Sequence, residues 1–182
     1  MTILTTPRLL LRPFEEGDAA ELYDYARDPR VGPIAGWSPH RSVEESREII
    51  RTVFAAPHVF AVELRETGRV VGSVGLVGRH PMGDHPNCPD DEAGYSLRPD
   101  LWGKGLMPEA MKAVLDYSFT QIAIKRVWCG HVAGNWRSAR VIQKCGFHYC
   151  TSRTERHGEQ DKLIYYYVLT GEDWRERISG AF

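Results

Sequence analysis

The chain has 182 residues, 42% of them hydrophobic and 26% charged, with a formal net charge of −1. That balance suits a globular protein with apolar residues enough for the core of one domain, 1–182, and no strongly basic nucleic-acid-binding face is required by it. There is no apolar run of about 18 residues to span a membrane, and the opening MTILTTPR lacks the basic-then-apolar form of a signal peptide.

The four cysteines, Cys88, Cys129, Cys145 and Cys150, form no CxxC pair. They suggest neither a disulfide framework nor a zinc ribbon, and reduced thiols in a cytoplasmic protein are the simplest reading.

In chain order, residues 3–13 read as a strand broken by Pro7, and residues 17–28 as a helix with Asp18 as its N-cap. Residues 42–55 form a second helix, opened by the capping-box pattern Ser42-Val-Glu-Glu45. The period then changes. Residues 58–65 and 69–79 alternate as strands around a Thr67-Gly68 turn. Residues 80–90, with three prolines, form a loop. A strand over 92–98 leads to a helix over 107–121, and a strand over 125–133 to a short helix over 136–144 that stops at Gly146. Strands at 147–153 and 161–169 and a last helical turn or two at 171–178 close the chain. Alternation in the centre implies a mixed α/β domain with some parallel pairing.

The chemistry concentrates in Tyr95-Ser-Leu-Arg-Pro-Asp-Leu-Trp-Gly-Lys-Gly-Leu-Met-Pro-Glu109. A strand ends near Arg98, a glycine turn follows, and a helix begins with Pro108 in its first turn. Gly103 and Gly105 tolerate positive φ and let a ligand approach the backbone. The amides of residues 103–107, at a helix start, form an anion site suited to a diphosphate. A Walker loop is excluded because Gly105, not Ser or Thr, follows Gly103-Lys104. A dinucleotide fingerprint is excluded because Pro108 stands where its third glycine belongs. Taken alone, the stretch is equally well read as two glycines shaping a turn.

A second stretch is Asn135-Trp-Arg-Ser138-Ala-Arg140-Val-Ile-Gln-Lys144-Cys-Gly146-Phe147. Asn135 sits at an N-cap and Ser138 on the first turn. Val141, Ile142 and Cys145 would face the core of an amphipathic helix.

With the opening TPRLLLRPFEEGDAAEL, these two stretches resemble the GNAT superfamily of acetyltransferases over nearly the whole chain. More closely, they resemble the branch of ribosomal-protein N-terminal acetyltransferases. The resemblance implies a mixed, largely antiparallel central sheet with a parallel central pair, flanked by helices. It implies acetyl-CoA as co-substrate, a primary amine as acceptor, no metal, and a homodimer as the common assembly. Leu97, Arg98 and the turn Gly103, Lys104, Gly105, Leu106 and Met107 would bind coenzyme A. Asn135 would hydrogen-bond the pantetheine arm, and Ser138 would lie near the thioester sulfur. The family turn begins with Gln or Arg and has Gly or Ala sixth; Trp102 and Met107 stand there, so backbone amides carry the contact. The tyrosine acid of many members is absent, since Ile142 or Gln143 holds its place, which leaves Ser138 as the candidate.

An attacking amine must be neutral, and a carboxylate can collect its proton through water. Glu92 is the candidate base, with Asp91 as the alternative and a merely solvated Glu92 as the bland reading. The resemblance implies that Trp37, in the Gly36–His40 segment, lines the acceptor pocket; a packing role is the alternative. His80, His85 and Cys88 match no zinc spacing. Cys145 reads as core and Tyr165–Tyr167 as an aromatic strand. Asp84, Asp90, Asp91 and Glu92 keep cationic small amines open as acceptors. Two further classes stand beside the transferase: a non-catalytic acyl-CoA sensor and an unrelated α/β binding module.

Overall fold

A computed structural model describes residues 2–78, 89–157 and 160–180. The chain divides into two compact units, Met1–Gly75 with Gly94–Ala113, and Leu76–Ala93 with Val114–Phe182.

In the first unit, β1 (Leu4–Thr5), β2 (Leu9–Arg12), β3 (Val59–Leu64) and β4 (Arg69–Leu76, all but its last residue) run in that order. The second half of β5 (Asp90–Leu97) follows them. The pairings from β1 to β4 are antiparallel. The break expected in the first strand is found: Pro7 lies in the turn between β1 and β2, where Thr6 N–H donates to the Leu9 carbonyl at 2.9 Å. The β3–β4 hairpin closes at Gly68, whose φ of 67° is the left-handed conformation that glycine accepts readily.

Three helices belong to this unit: α1 (Ala19–Ala26), α2 (Gly32–Ala35) and α3 (Val43–Thr52). Leu22, Tyr25 and Ala26 of α1 and Ile50 of α3 share one buried cluster. Asp18 is not the cap expected of it. It has helical φ and ψ and makes no cap bond to α1. Its carboxylate instead accepts the Glu15 N–H at 2.8 Å and forms a two-pronged pair with Arg12 at 2.8 and 2.9 Å. Arg12 also donates to Glu63 on the neighbouring strand, so the aspartate ties the start of α1 to the sheet. Ser42 caps α3 as expected, accepting from Glu45 N–H at 3.1 Å. Glu45 does not return the bond to Ser42, because its carboxylate takes the Arg41 N–H at 2.6 Å. The four-residue α2 lies in a stretch with too few residues for its period to be read.

In the second unit the first half of β5, then β6 (Arg126–Val132), β8 (Gln160–Thr170) and β7 (His148–His157) lie in that order. Among the described residues the parallel pair is β5–β6, with Asp90–Ala93 opposite Arg126–Cys129. The β6–β8 and β7–β8 pairs are antiparallel. The expected mixed sheet with one parallel pair is thus present among the described residues. α5 (Trp136–Cys145) ends at Gly146 with φ of 90°, as its sequence position suggested. α6 (Gly171–Ser179) is opened by a Thr170–Asp173 capping box. Cys129 and Cys145 are fully buried, and Tyr166 is buried between half-buried Tyr165 and Tyr167.

The long helix α4 (Leu106–Thr120) starts in the first unit and ends in the second. His80, Asp84, His85 and Cys88 lie outside the described residues.

Candidate acetyl-CoA site

The glycine turn lies in the first unit. Leu97 ends β5, and the Arg98 N–H closes the strand against the Val71 carbonyl at 2.8 Å. A tight turn of 3-10 helix, Pro99–Leu101, follows. β4 accommodates the strand end through Gly72, where a Cβ would come within 2.4 Å of the Ser96 carbonyl. Trp102 then folds back, its indole N–H donating to the Leu97 carbonyl at 2.8 Å. Its ring packs against the α1–α3 cluster. The tryptophan that replaces the usual Gln or Arg is therefore a staple for the turn.

Gly103 and Gly105 have φ of 80° and 78°, the region that side chains strain. No Cβ at Gly103 would touch anything within 4 Å, so the glycine answers to backbone conformation and not to crowding. Among the described residues, the amides from Gly103 to Met107 donate to no backbone carbonyl. They stand at the start of a 15-residue helix, where orphan N–H groups and the dipole favour an anion. Leu106 and Met107 are buried. Gly103 and Lys104 are exposed. The Arg98 guanidinium is taken by Asp100, with bonds of 2.7 and 3.0 Å. That pairing raises the Arg98 pKa and lowers that of Asp100, burial acting against each shift.

Two residues that sequence reasoning passed over complete the turn. Arg8 donates to the Lys104 carbonyl at 2.9 Å, and both Arg8 and Thr6 bond the Glu109 carboxylate. Burial pushes the Glu109 pKa up, but the bonds from Thr6 and Arg8 outweigh it and hold the carboxyl below its ordinary value.

Trp37 also belongs to the first unit. Its ring packs against the α1–α3 cluster and lies 5.1 Å from the His40 ring, centroid to centroid. A Cβ on Gly32 would meet that indole at 2.7 Å, so glycine there makes room for the ring. The His40 Nδ1 lies 2.8 Å from the buried Ser46 hydroxyl. Burial lowers the His40 pKa, with nearby Glu45 opposing.

Asn135, Ser138 and Glu92 lie in the second unit. Asn135 caps α5, its Oδ1 accepting from Ser138 N–H at 3.2 Å. The structure thus brings Asn135 and Ser138 together, and the side-chain amide NH2 of Asn135 is not part of the cap bond. Ser138 is buried, at 9% exposure. Glu92 is half-buried on β5 opposite Trp128, and its carbonyl accepts from Val77 N–H at 2.9 Å. The acids beside it have structural tasks. Asp91 accepts the Gly78 and Glu92 N–H groups at 2.8 and 2.7 Å. Asp90 pairs with Arg126 at 2.7 Å. Among the described residues, no cluster of His, Cys, Asp and Glu is arranged to hold a metal.

The strand order, the one parallel pair among the described residues and the glycine turn that opens α4 are the frame of an acetyltransferase fold. The acetyltransferase (GNAT) domain pattern matches residues 8–148, and the chain belongs to the GNAT acetyltransferase family. An uncharacterized N-acetyltransferase, p20, of Bacillus licheniformis is 30% identical over 152 residues, 81% of this chain and 83% of its own. An acetyltransferase of the GNAT family from Bacillus anthracis has the same fold, with TM-score 0.83, 24% identity and coverage of 94% and 99% of the two chains. A putative ribosomal-protein-serine acetyltransferase from Vibrio cholerae gives TM-score 0.76 at 19% identity, covering 93% and 97%. The Vibrio cholerae spermidine N-acetyltransferase, solved with CoA and spermine, gives 0.77 at 18%, covering 93% and 99%. The chain is an N-acetyltransferase that takes its acetyl group from acetyl-CoA.

Proposed function

We propose that the acceptor is the α-amine of a protein or peptide N-terminus, attacked directly in a ternary complex with acetyl-CoA. The observation that carries this reading is the use of the acidic residues. A polyamine pocket needs spare carboxylates, but Asp90 is paired with Arg126 and Asp91 is engaged by two backbone N–H groups. The likeness in fold to a ribosomal-protein-serine acetyltransferase agrees with this reading, and the spermidine enzyme of the same fold makes a small amine the second reading.

In this account the amides of Gly103 to Met107 take the diphosphate, with Leu97 and Arg98 bordering the cofactor where β5 ends. The Asn135 side-chain NH2, which its cap bond does not use, donates to the pantetheine arm. The amine nitrogen attacks the thioester carbonyl carbon, the carbon–sulfur bond breaks, and the thiolate leaves with a hydrogen bond from Ser138. Thiols titrate near about 8.5, so this leaving group asks little of an acid. An α-amine titrates near about 8 and a lysine near about 10.4. A weak base acting through water therefore suffices for the former, and Glu92 fills that role. Trp37 contributes an edge of the acceptor pocket while its ring packs in the α1–α3 layer.

Release of free thiol from acetyl-CoA, measured across N-terminal peptides and small amines, tests the assignment. Peptide-dependent release, abolished or much reduced in Asn135→Ala and slowed in Ser138→Ala, is expected. Release with spermidine and none with peptides would move the assignment to the second reading.

A further inference from the structure

Arg8 lies in the opening TPRLLLRP motif, and the reaction described above gives it no task. Its contacts nevertheless reach both ends of the glycine turn. Nη1 donates to the Lys104 carbonyl at 2.9 Å. Nε and Nη2 each lie 2.7 Å from Glu109 Oε2, and the Arg8 backbone N–H donates to Glu109 Oε1 at 2.9 Å. Thr6 Oγ1 donates to the same Oε1 at 2.6 Å.

The platform beneath Arg8 is itself held. Leu9 N–H donates to Thr6 Oγ1 at 2.9 Å. Arg65 Nη1 donates to the Thr6 and Pro7 carbonyls at 2.9 and 3.1 Å, and Arg65 N–H to the Arg8 carbonyl at 3.0 Å. The segment is thus tied to β2 and β3 on one side and to the first turn of α4 on the other.

The Lys104 carbonyl belongs to the Lys104–Gly105 peptide. In a trans peptide the C=O and N–H point in opposite directions, and the chain has no cis peptide bond among its described residues. A carbonyl held on Arg8 therefore aims the Gly105 N–H away from Arg8. Glycine accepts either sign of φ at little cost, so without that hold the Lys104–Gly105 peptide is free to turn over. The guanidinium charge is answered by Glu109 on the spot, which suits a clamp on the loop.

We propose that Arg8 is a positioning residue for diphosphate capture: it locks the Lys104–Gly105 peptide so that the anion-binding amides are oriented before the cofactor arrives. The inference rests on the reading of residues 103–107 as the diphosphate site. Preorganisation of this kind raises affinity by lowering the ordering cost of binding.

Two donors separate this role from general support of the fold: acetyl-CoA, and S-acetylpantetheine, which lacks the diphosphate. Direct binding of CoA by calorimetry and kcat/KM for both donors are measured in the unmodified chain, Arg8→Ala, Arg8→Lys and Glu109→Gln. In Arg8→Ala, CoA affinity and kcat/KM with acetyl-CoA fall roughly tenfold or more, the worth of a charge-assisted hydrogen bond. The rate with S-acetylpantetheine stays unchanged. Arg8→Lys, which keeps the charge but lacks the fork, falls between, and carries the test if Arg8→Ala does not fold. Glu109→Gln, which removes the anchoring charge, weakens CoA binding in the same selective way. Equal loss for both donors, or no loss with acetyl-CoA, would overturn the role of Arg8 and leave the diphosphate site standing. No CoA binding by the unmodified chain would overturn both.

Discussion

Asn135 offers a clean separation of two tasks in one side chain. Its Oδ1 caps α5 through a 3.2 Å bond from Ser138 N–H, and its NH2 is assigned to the pantetheine arm. Asn135→Ala removes both. Loss of a cap costs about 1 kcal/mol, and in a chain of this size that lowers the melting temperature by roughly 2–4 °C. Asn135→Asp keeps an acceptor for Ser138 N–H and places a carboxylate at a helix N-terminus, which is favourable by about 0.3–1 kcal/mol. Its melting temperature is expected to equal or exceed that of the unmodified chain. Asn135→Ser is a neutral cap that lacks the amide. All three variants lose the NH2 donor, so KM for acetyl-CoA rises roughly tenfold in each, the scale of one hydrogen bond left unmade in a buried contact. Thermal melts and thiol-release kinetics on the four proteins decide the matter. Asp and Ser variants with unchanged KM would show that Asn135 is a cap and nothing more. An Asp variant that melts as low as the alanine variant would refute the capping geometry.

Other consequences can be measured on the same protein. Gly105→Ala forces a side chain into φ near 78°, at about 1–2 kcal/mol, and should weaken CoA binding in calorimetry more than it lowers the melting temperature. Gly32→Ala sets a Cβ within 2.7 Å of the Trp37 ring and carbonyl. Overpacking of this kind costs about 1–3 kcal/mol, to be read as a fall in the urea midpoint. Burial lowers the His40 pKa below its ordinary 6.5, so the folded state binds fewer protons there than the unfolded one. Stability from this group is full above pH 6.5 and declines as pH falls below it; urea midpoints between pH 7.5 and 5.5 should show that slope, and His40→Asn should lack it. For Glu109 the folded pKa is depressed below 4.5, so its contribution is full above pH 4.5 and is lost as pH falls further. In Glu109→Gln that acid limb should flatten.

The order of elements was legible because its signals are local. The period change after the second helix marked where helices gave way to strands, Gly68 and Gly146 marked a turn and a helix end, and Pro7 marked a break. The glycine turn before α4 was legible for the same reason, since two glycines before a helix dictate backbone geometry within a few residues. What escaped the sequence depends on distant partners. Asp18 looked like a cap because it precedes an apolar helical stripe, but Arg12, six residues back, claims its carboxylate. Glu45 completed a capping box on paper, yet the Arg41 N–H takes it. Arg8 and Glu109 are 101 residues apart, and no periodicity links them. Trp102 looked like a lapse from the family turn until its indole was seen to bond the Leu97 carbonyl. Asp84, Asp90, Asp91 and Glu92 kept cationic acceptors open by composition, and the partners of Asp90 and Asp91 could not be read from it.

The most direct test is a competition for the acetyl group. The protein is incubated with acetyl-CoA, spermidine and a peptide bearing a free N-terminus and an internal lysine, and the products are located by mass spectrometry. One acetyl group is expected on the peptide α-amine, with the lysine and spermidine largely unmodified. Acetylspermidine with an untouched peptide, or no acetyl transfer to any amine, would contradict it.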